Sequence, residues 1–328
     1  MIEIVFLGTS ASAPSIHRGL SAQVVMHKNY RFLVDCGEGT QRQILKSGLG
    51  FKRLNRILLT HGHLDHILGL GGLLSTFARW EAMERIEIYG GAWALERVYD
   101  LVFGVVLRGA KPAVDIELIE IKPGVILDDE TFEVIAFPVI HRGPSLGYLF
   151  REKPRRPFLV KQAEALGVPS GPERGRLVAG EPVLLDNGRL IEPEEVLGPE
   201  KPGPSLVHVG DVGVTKDLKE YVAGVDMLVI EATYLQRDKD MAYRFGHATA
   251  AQVARLAQDA GAHQLVLTHV SRRYRESQIA REAQDIFPQT IVARDFDHYQ
   301  VMRRDVRKCE MEREIEDDEL EHPDEITT

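Results

Sequence analysis

The chain has 328 residues, of which 44% are hydrophobic and 27% charged, which is ordinary for a globular protein with a full core. No apolar run approaches the ~20 residues of a membrane-spanning helix, and two isolated cysteines form no disulfide framework. We therefore predict a cytoplasmic protein with no membrane partner. Residues 305–328 hold 11 acids against 3 bases and carry most of the net charge of −9, so we predict a disordered acidic tail there.

Apolar runs alternate with amphipathic segments along the first 150 residues, which predicts an α/β fold. The predicted strands are 2–7, 21–26, 31–35, 56–60, 85–89, 114–121, 131–140 and 145–150. The predicted helices are 41–48, 66–81 and 91–107. The strand at 56–60 leads into Thr60-His61-Gly62-His63-Leu64-Asp65-His66. Imidazole and carboxylate are the ligands of a zinc-like ion, so this turn indicates a metal site rather than a polar surface turn.

The composition changes at residues 151–204, which contain 9 of the 16 prolines. Residues 151–176 have seven bases against three acids, whereas residues 177–203 have two bases against six acids. A solvated linker would share this composition. The apolar residues Phe158, Leu166 and 183–185 favour a protruding arm that is inserted into one large domain, 1–304.

Regular alternation of strand and helix resumes after the arm. The predicted elements are strands at 205–209, 227–230, 264–267 and 290–293 and helices over 249–260 and 276–285. His141, Asp211 and His269 each follow an apolar strand, as the His61 turn does. Because strand ends on one edge of a sheet converge, we expect these side chains to meet there. The histidines without this context are interpreted as ordinary core or surface residues: His17, His27, His208, His263 and His298.

The ligand pattern resembles the signature of the metallo-β-lactamase superfamily. The resemblance implies an αβ/βα sandwich of two mixed sheets flanked by helices, with two metal ions, usually zinc, on one edge. His61, His63 and His141 would bind one ion, Asp65, His66 and His269 the other, and Asp211 would bridge them. Two ions ~3.5–4 Å apart generate hydroxide near neutral pH and stabilise both the attacking and the leaving oxygens of a phosphodiester. Manganese and iron accept similar ligands.

Further motifs resemble the ribonuclease Z family of tRNA 3′-processing endonucleases. Ile230-Glu231-Ala232-Thr233 is similar to the family's H-E-A-T motif, His247-Ala248-Thr249 to its H-S-T motif, and Gly171-Pro172 to the Gly-Pro element of its tRNA-binding arm. The resemblance implies a homodimer that cleaves precursor tRNA after the discriminator nucleotide. The tRNA would keep a 3′-hydroxyl and the trailer a 5′-phosphate. In the loop 14–19, which resembles the family's CCA-sensing P-x-K-x-R-N loop, Ile16 replaces Lys and Gly19 replaces Asn.

Hydrolysis that leaves a 3′-hydroxyl must protonate a poor leaving group, and a histidine held by a carboxylate suits that role. His247 with Glu231 is the candidate pair, as it is in the family, although Glu231 as a structural acid is the alternative. Asp65 is the family's base or water-orienting residue. Thr249 is either a substrate-phosphate ligand or a plain helix N-cap.

The candidate RNA contacts are lysines and arginines of the arm and one arginine after the last predicted ligand. They are Lys153, Arg155, Arg156, Lys161 and Arg273, together with Gly171 and Pro172. One alternative function is a phosphodiesterase or small-ester hydrolase on the same metal site, against which the arm argues. The other is a zinc protein that binds RNA without catalysis, against which the His247–Glu231 pair argues.

Overall fold

The computed structural model of the protein describes residues 1–80, 83–112 and 114–309. Its strands are β1 Ile2–Gly8, β2 Ala22–His27, β3 Tyr30–Val34, β4 Arg56–Leu58, β5 Arg85–Gly90, β6 Asp115–Glu120, β7 Gly124–Asp128, β8 Phe132–Ile140, β9 Pro144–Glu152, β10 Val183–Leu184, β11 Leu190–Ile191, β12 Ser205–Val209, β13 Met227–Glu231, β14 Gln264–Thr268, β15 Thr290–Val292, β16 His298–Met302 and β17 Asp305–Cys309. Its α-helices are α1 Thr40–Lys46, α2 Leu64–Ile67, α3 Leu70–Trp80, α4 Ala92–Tyr99, α5 Val160–Ala165, α6 Pro172–Val178, α7 Pro193–Val196, α8 Lys239–Phe245, α9 Ala250–Ala260 and α10 Glu276–Gln284.

Two mixed sheets form the centre of the described structure. One has the strand order β17-β16-β1-β2-β3-β4-β5-β6 and the other β15-β14-β13-β12-β9-β8-β7. Strands β3 to β6 run parallel, as do β12 to β15, and the remaining pairs within the two sheets are antiparallel. The predicted sandwich of two mixed sheets flanked by helices is confirmed.

The central strands of the sandwich are buried on both faces. In β1, Ile2, Ile4 and Phe6 pack between the sheets, whereas Val5 and Leu7 join an outer apolar cluster that includes residues of α1, α3 and α4. Residues of α9 and α10 cover the outer face of the other sheet. This alternation with a period of two lets one strand serve two apolar layers.

The structure differs from the predicted elements where pairing is distant or where a helix is interrupted. The predicted helix 66–81 is α2 followed by α3, because Gly69 N donates to Cys36 O (2.9 Å) rather than continuing the turn. The predicted helix 91–107 is α4 followed by a π-helical segment, Asp100–Val106. Outside the arm, the strands β7, β16 and β17 and the helix α8 were not predicted, and within the arm no individual element was predicted.

Strand β17 corrects the predicted domain boundary at 304. It pairs with β16, which in turn pairs with β1 nearly 300 residues earlier, so the fold continues to Cys309. The rest of the predicted acidic tail, 310–328, lies outside the described residues.

The arm segment between β9 and β12 has an apolar cluster of its own. Its buried members are Ala163, Val168, Leu177, Val183, Leu185, Ile191 and Val196. Two backbone hydrogen bonds join the beginning and the end of the arm. Arg155 N donates to Lys201 O (3.0 Å), and Lys201 N donates to Arg155 O (2.9 Å). No helix in the described part of the chain is long and apolar enough to cross a membrane.

Candidate metal centre

The seven predicted ligands lie together at one edge of the sandwich. His61 follows β4, His141 follows β8, Asp211 follows β12 and His269 follows β14, while Asp65 and His66 lie on α2. Their ligand atoms form two groups in which all atoms lie within 4.8 Å of one another. Strand ends from both sheets therefore supply one contiguous site.

The first cluster contains His61, His63, His141 and one oxygen of Asp211. His63 Nδ1 lies 2.8 Å from His61 Nε2 and 3.3 Å from His141 Nε2. Asp211 Oδ2 lies 3.7 Å from both His61 Nε2 and His141 Nε2. Ligand atoms bound tetrahedrally at the 2.0–2.1 Å usual for zinc lie about 3.4 Å apart, so these spacings fit an ion of that size.

The second cluster contains Asp65, His66, His269 and the other oxygen of Asp211. Asp211 Oδ1 lies 3.4 Å from His66 Nε2 and 3.3 Å from His269 Nε2. Asp65 Oδ2 lies 3.7 Å and 3.4 Å from the same two nitrogens. Asp211 thus directs one oxygen to each cluster, which is the geometry of a bridging carboxylate.

Four of the five histidines have their Nδ1 atoms occupied by neighbouring groups. The pairs are His61 with Thr60 Oγ1 (3.0 Å), His66 with Asp35 Oδ2 (2.7 Å), His141 with Gly246 O (2.6 Å) and His269 with Thr233 Oγ1 (2.9 Å). Each acceptor takes the Nδ1–H and leaves the Nε2 lone pair directed at the cluster. Within the described residues, the buried atoms His66 Nε2 and Asp211 Oδ1 have no hydrogen-bond partner. Acceptor atoms gathered in this way fit a cation.

The site combines a low-pKa carboxylate with imidazoles whose pKa values shift in opposite directions. Burial would lower the pKa of His66, but Asp211 and Asp35 override it and raise that pKa well above its usual value. Burial by itself would raise the pKa of Asp211, but His269 and His66 outweigh it and hold that pKa well below its usual range. Burial lowers the pKa of His61 and His141. Ionised carboxylate and neutral imidazole are the forms that bind metal ions.

His247 and Glu231 lie beside the clusters. Glu231 is fully buried at the end of β13, where its carboxylate accepts from Val212 N (2.6 Å) and Thr233 Oγ1 (2.5 Å). His247 Nδ1 lies 3.0 Å from Glu231 Oε1. Burial would lower the pKa of His247, but Glu231 overrides it and raises that pKa to about 9. Glu231 therefore holds the His247 ring at a fixed position beside the clusters and favours its protonated form.

An open cleft of about 320 Å³ gives access to these groups. His63, Asp65, His141, Asp211 and His247 line it, together with Ser12, Arg142, Tyr234 and Phe245. A substrate group in the cleft would contact both the clusters and His247.

Comparisons with known proteins identify the family. The sequence profile of the metallo-beta-lactamase superfamily matches residues 19–224, and that of the beta-lactamase superfamily domain matches residues 192–270. Ribonuclease Z of Bradyrhizobium diazoefficiens is 47% identical over 91% of this chain and 99% of its own. Ribonuclease Z of Archaeoglobus fulgidus is 37% identical over 90% of this chain and 96% of its own. This chain belongs to the ribonuclease Z family.

A solved structure agrees with this assignment. The human tRNase Z short form superposes with a TM-score of 0.64 at 27% identity, and the match covers 91% of this chain and 99% of that one. The predicted family, fold and enzyme class, an endoribonuclease, are thereby confirmed. Membership in the superfamily also implies a divalent metal.

Asp35 is a site residue that the sequence reasoning missed. It follows β3, is fully buried and adopts a left-handed backbone (φ 59°), which Asp tolerates better than most residues. Its carboxylate accepts from Thr60 N (2.8 Å) and His66 Nδ1 (2.7 Å). A carboxylate at the end of a strand was the same signal that identified Asp211, but it was not applied to Asp35 at the end of the predicted strand 31–35.

Among the described residues, the candidate RNA-binding lysines and arginines fall into two groups, those that form an ion pair with a carboxylate and those that do not. Lys153 pairs with Asp128 (2.6 Å), and Arg156 pairs with Glu194 (3.1 Å). The exposed side chains of Arg155 and Lys161 have no carboxylate partner among the described residues. Arg273 is also exposed and unpaired there, close to His269 in sequence.

Two further predicted contacts lie at helix N-termini. Gly171 and Pro172 are exposed at the start of α6. Thr249 is buried, caps α9 by accepting from Gln252 N, and donates its hydroxyl to Gln236 (2.9 Å). Of the two roles predicted for Thr249, these contacts support the N-cap.

Proposed function

We propose that this member of the ribonuclease Z family is a zinc-dependent endoribonuclease that cuts precursor tRNA after the discriminator nucleotide. Water would add to phosphorus and the bond to the 3′ oxygen would break, leaving a 3′-hydroxyl on the tRNA and a 5′-phosphate on the trailer. The observation that carries the proposal is Asp211, whose two oxygens face two separate ligand clusters.

We assign the ligands by cluster. His61, His63 and His141 would hold one ion, and Asp65, His66 and His269 the other, with Asp211 shared. Two Zn²⁺ per subunit fit these donors, and Mn²⁺ and Fe²⁺ accept similar ones. When bound, such a pair supplies a nucleophile from water near neutral pH and neutralises charge on the phosphodiester.

The remaining roles belong to side chains in the cleft. Asp65 faces the cleft and would orient the attacking water. His247 would donate its proton to the leaving 3′ oxygen, and Glu231 would keep the ring oriented and charged. The alternative, that Glu231 is a purely structural acid, does not account for its contact with His247.

Exposed cations complete the substrate site. Arg142 lines the cleft, and neither Arg142 nor Arg273 has a carboxylate partner among the described residues, so both are free to contact phosphates. Arg155, Lys161, Gly171 and Pro172 would contact the tRNA at a distance from the cut. Homodimerisation and a cytoplasmic location remain predictions, and light scattering during size exclusion would measure the subunit number.

The deciding experiment is incubation of the Zn²⁺-loaded protein with a trailer-bearing precursor tRNA, followed by mapping of both new ends. We expect a single cut after the discriminator, with a 3′-hydroxyl and a 5′-phosphate. Cuts at many unpaired positions, or no cut while a small phosphodiester is hydrolysed, would contradict the proposal.

A precursor that carries an encoded CCA sharpens the same assay. In the loop 14–19, Ile16 is 94% exposed and Arg18 is bound to Glu276 (2.8 Å), so neither residue offers a free cation. We therefore expect cleavage of the CCA-bearing precursor as well. Its complete rejection would mean that another part of the chain senses the CCA end.

A further inference from the structure

His63 differs from the other histidines of the site in how its ring is held. His61, His66, His141 and His269 each have Nδ1 fixed by a neighbouring group. His63 instead directs Nδ1 into the first cluster, and its Nε2 has no hydrogen-bond partner among the described residues. Its ring is also only partly buried. A ligand in this situation needs another source of orientation.

Trp93, on the first turn of α4, lies against that ring. The Trp93 and His63 ring centroids are 5.4 Å apart, and their planes meet at 89°. This edge-to-face arrangement is a favoured geometry for aromatic pairs. The Arg97 guanidinium lies over Trp93, 5.7 Å from its centroid. The indole is thus bounded by a cation and by the metal-ligand ring.

The loops that carry His63 and His141 both approach the indole through glycine. A Cβ at Gly62 would lie 3.3 Å from Trp93 Cε3, and a Cβ at Gly143 would lie 3.0 Å from Trp93 Cζ3. Both distances are at the close limit for carbon contacts, so side chains there would push the indole away. Trp93 therefore packs against the backbone next to two ligands of the same cluster.

We propose that Trp93 is the positioning residue of the first cluster and replaces, by packing, the hydrogen bond that His63 lacks. The inference rests on the metal role proposed for His63. Outer partners of metal ligands typically change metal affinity about 10- to 100-fold when removed. Loss of the indole should lower the metal affinity of the first cluster about 10- to 100-fold and leave the metal affinity of the second nearly unchanged.

Zn²⁺ release to a chelator tests this inference. Zn²⁺-loaded wild type, Trp93→Ala, Trp93→Phe and Leu95→Ala would be titrated, and the metal left per chain measured. Leu95 is the matched control because it lies on the same helix, α4, and its side chain packs into the outer apolar cluster. We expect Trp93→Ala to lose one ion at a chelator concentration about 10- to 100-fold lower than the wild type, with Trp93→Phe intermediate. Added Zn²⁺ should restore the RNA cleavage of Trp93→Ala.

Equal metal loss in Leu95→Ala and Trp93→Ala, or wild-type retention in Trp93→Ala, would overturn the inference. His63→Ala separates this failure from that of the proposed function. If His63→Ala loses an ion and Trp93→Ala does not, only the role of Trp93 fails. If His63→Ala keeps both ions, the metal assignment fails as well.

Fluorescence provides a readout should Trp93→Ala not fold. The chain has two tryptophans, so Trp80→Phe leaves Trp93 as the single emitter. Its emission should change as the first cluster fills with Zn²⁺, because His63 is its ring neighbour. An emission that is unchanged across full Zn²⁺ loading would overturn the inference.

Discussion

The edge of the sandwich that carries the seven predicted ligands, here called the metal edge, is built differently from the arm, residues 151–204. At the metal edge, ligands from both sheets are held by buried hydrogen bonds, and Asp211 is only 2% exposed. In the arm, short helices enclose a small apolar cluster, and most cations pair with acids, such as the exposed Glu181 with Arg176 (3.2 Å) and the exposed Glu194 with Arg156 (3.1 Å). Buried contacts define positions closely, whereas exposed ion pairs contribute little to the stability of the fold.

The difference fits two separate roles, chemistry at the metal edge and tRNA binding in the arm. Chemistry on a phosphodiester needs groups positioned to within a fraction of an ångström, which the strand ends provide. Binding a large, flexible anion needs charge that can be shared with phosphates, which a surface arm provides. Changes at the edge should therefore affect every phosphodiester, whereas changes in the arm should affect only tRNA.

Asp211→Asn should have the largest effect. The amide keeps the shape of the side chain but loses the charge that both clusters share, so both ions should bind more weakly. Cleavage of precursor tRNA and of a chromogenic phosphodiester should both fall by more than about 10³-fold, the upper range for loss of one strong electrostatic contact. Elemental analysis should show less metal per chain. Retention of either activity would remove Asp211 from the centre of the mechanism.

His247→Ala should separate proton donation from metal binding. We expect precursor tRNA cleavage to fall by about 10²- to 10⁴-fold, the usual contribution of a positioned acid, with full metal content. A nitrophenyl phosphodiester, whose leaving group needs no proton, should lose far less. An equal loss on both substrates would indicate that His247 acts on the clusters rather than on the leaving group.

These residues also show how far the sequence could predict the site. The clustering of the seven proposed ligands was predictable because His61, His63, Asp65 and His66 share one turn, and the other three follow strands whose ends meet at one edge. Asp35 was missed because its role depends on a left-handed backbone and on contact with His66, 31 residues later. Trp93 was missed because only the packing of α4 brings it to His63.

The fold, like the site, was predictable where the determining contacts are local in sequence and not where they are distant. Elements with strong local periodicity were predicted close to their observed bounds, as for α9, predicted over 249–260 and observed at Ala250–Ala260. Strands β16 and β17 were missed because β16 is stabilised by pairing with β1, nearly 300 residues away, and β17 by pairing with β16. Thr249 carried a pattern that suited both a phosphate ligand and an N-cap, and only its contacts in the structure favour the N-cap.

Deletion of 155–200 tests the comparison from the other region. The backbone at Arg155 and Lys201 is joined by two hydrogen bonds, so a short glycine linker from Pro154 to Lys201 should preserve the pairing of β9 with β12. We expect precursor tRNA cleavage to fall at least about 100-fold through lost phosphate contacts, with nearly unchanged hydrolysis of the small phosphodiester. Survival of tRNA cleavage would refute the arm assignment.

Arg155→Ala with Lys161→Ala should produce the smallest effect, and it tests whether unpaired charge is what the arm contributes. Each cation that neutralises a phosphate releases counterions, so the slope of log KM against log salt concentration should fall by about 0.7–0.9 per residue. At physiological salt we expect KM to rise several-fold with kcat unchanged. Kinetics at a series of salt concentrations would measure both quantities.

Arg176→Ala is the matched control for this double variant, because its guanidinium already pairs with Glu181 within the arm. An exposed pair of this kind has little free charge to offer a phosphate, so the salt slope should stay at the wild-type value. If Arg176→Ala changed the slope as much as the double variant, ion pairing within the arm would not determine which cations meet the tRNA. The metal edge and the arm would then still differ in burial, but all exposed bases of the arm would contribute alike.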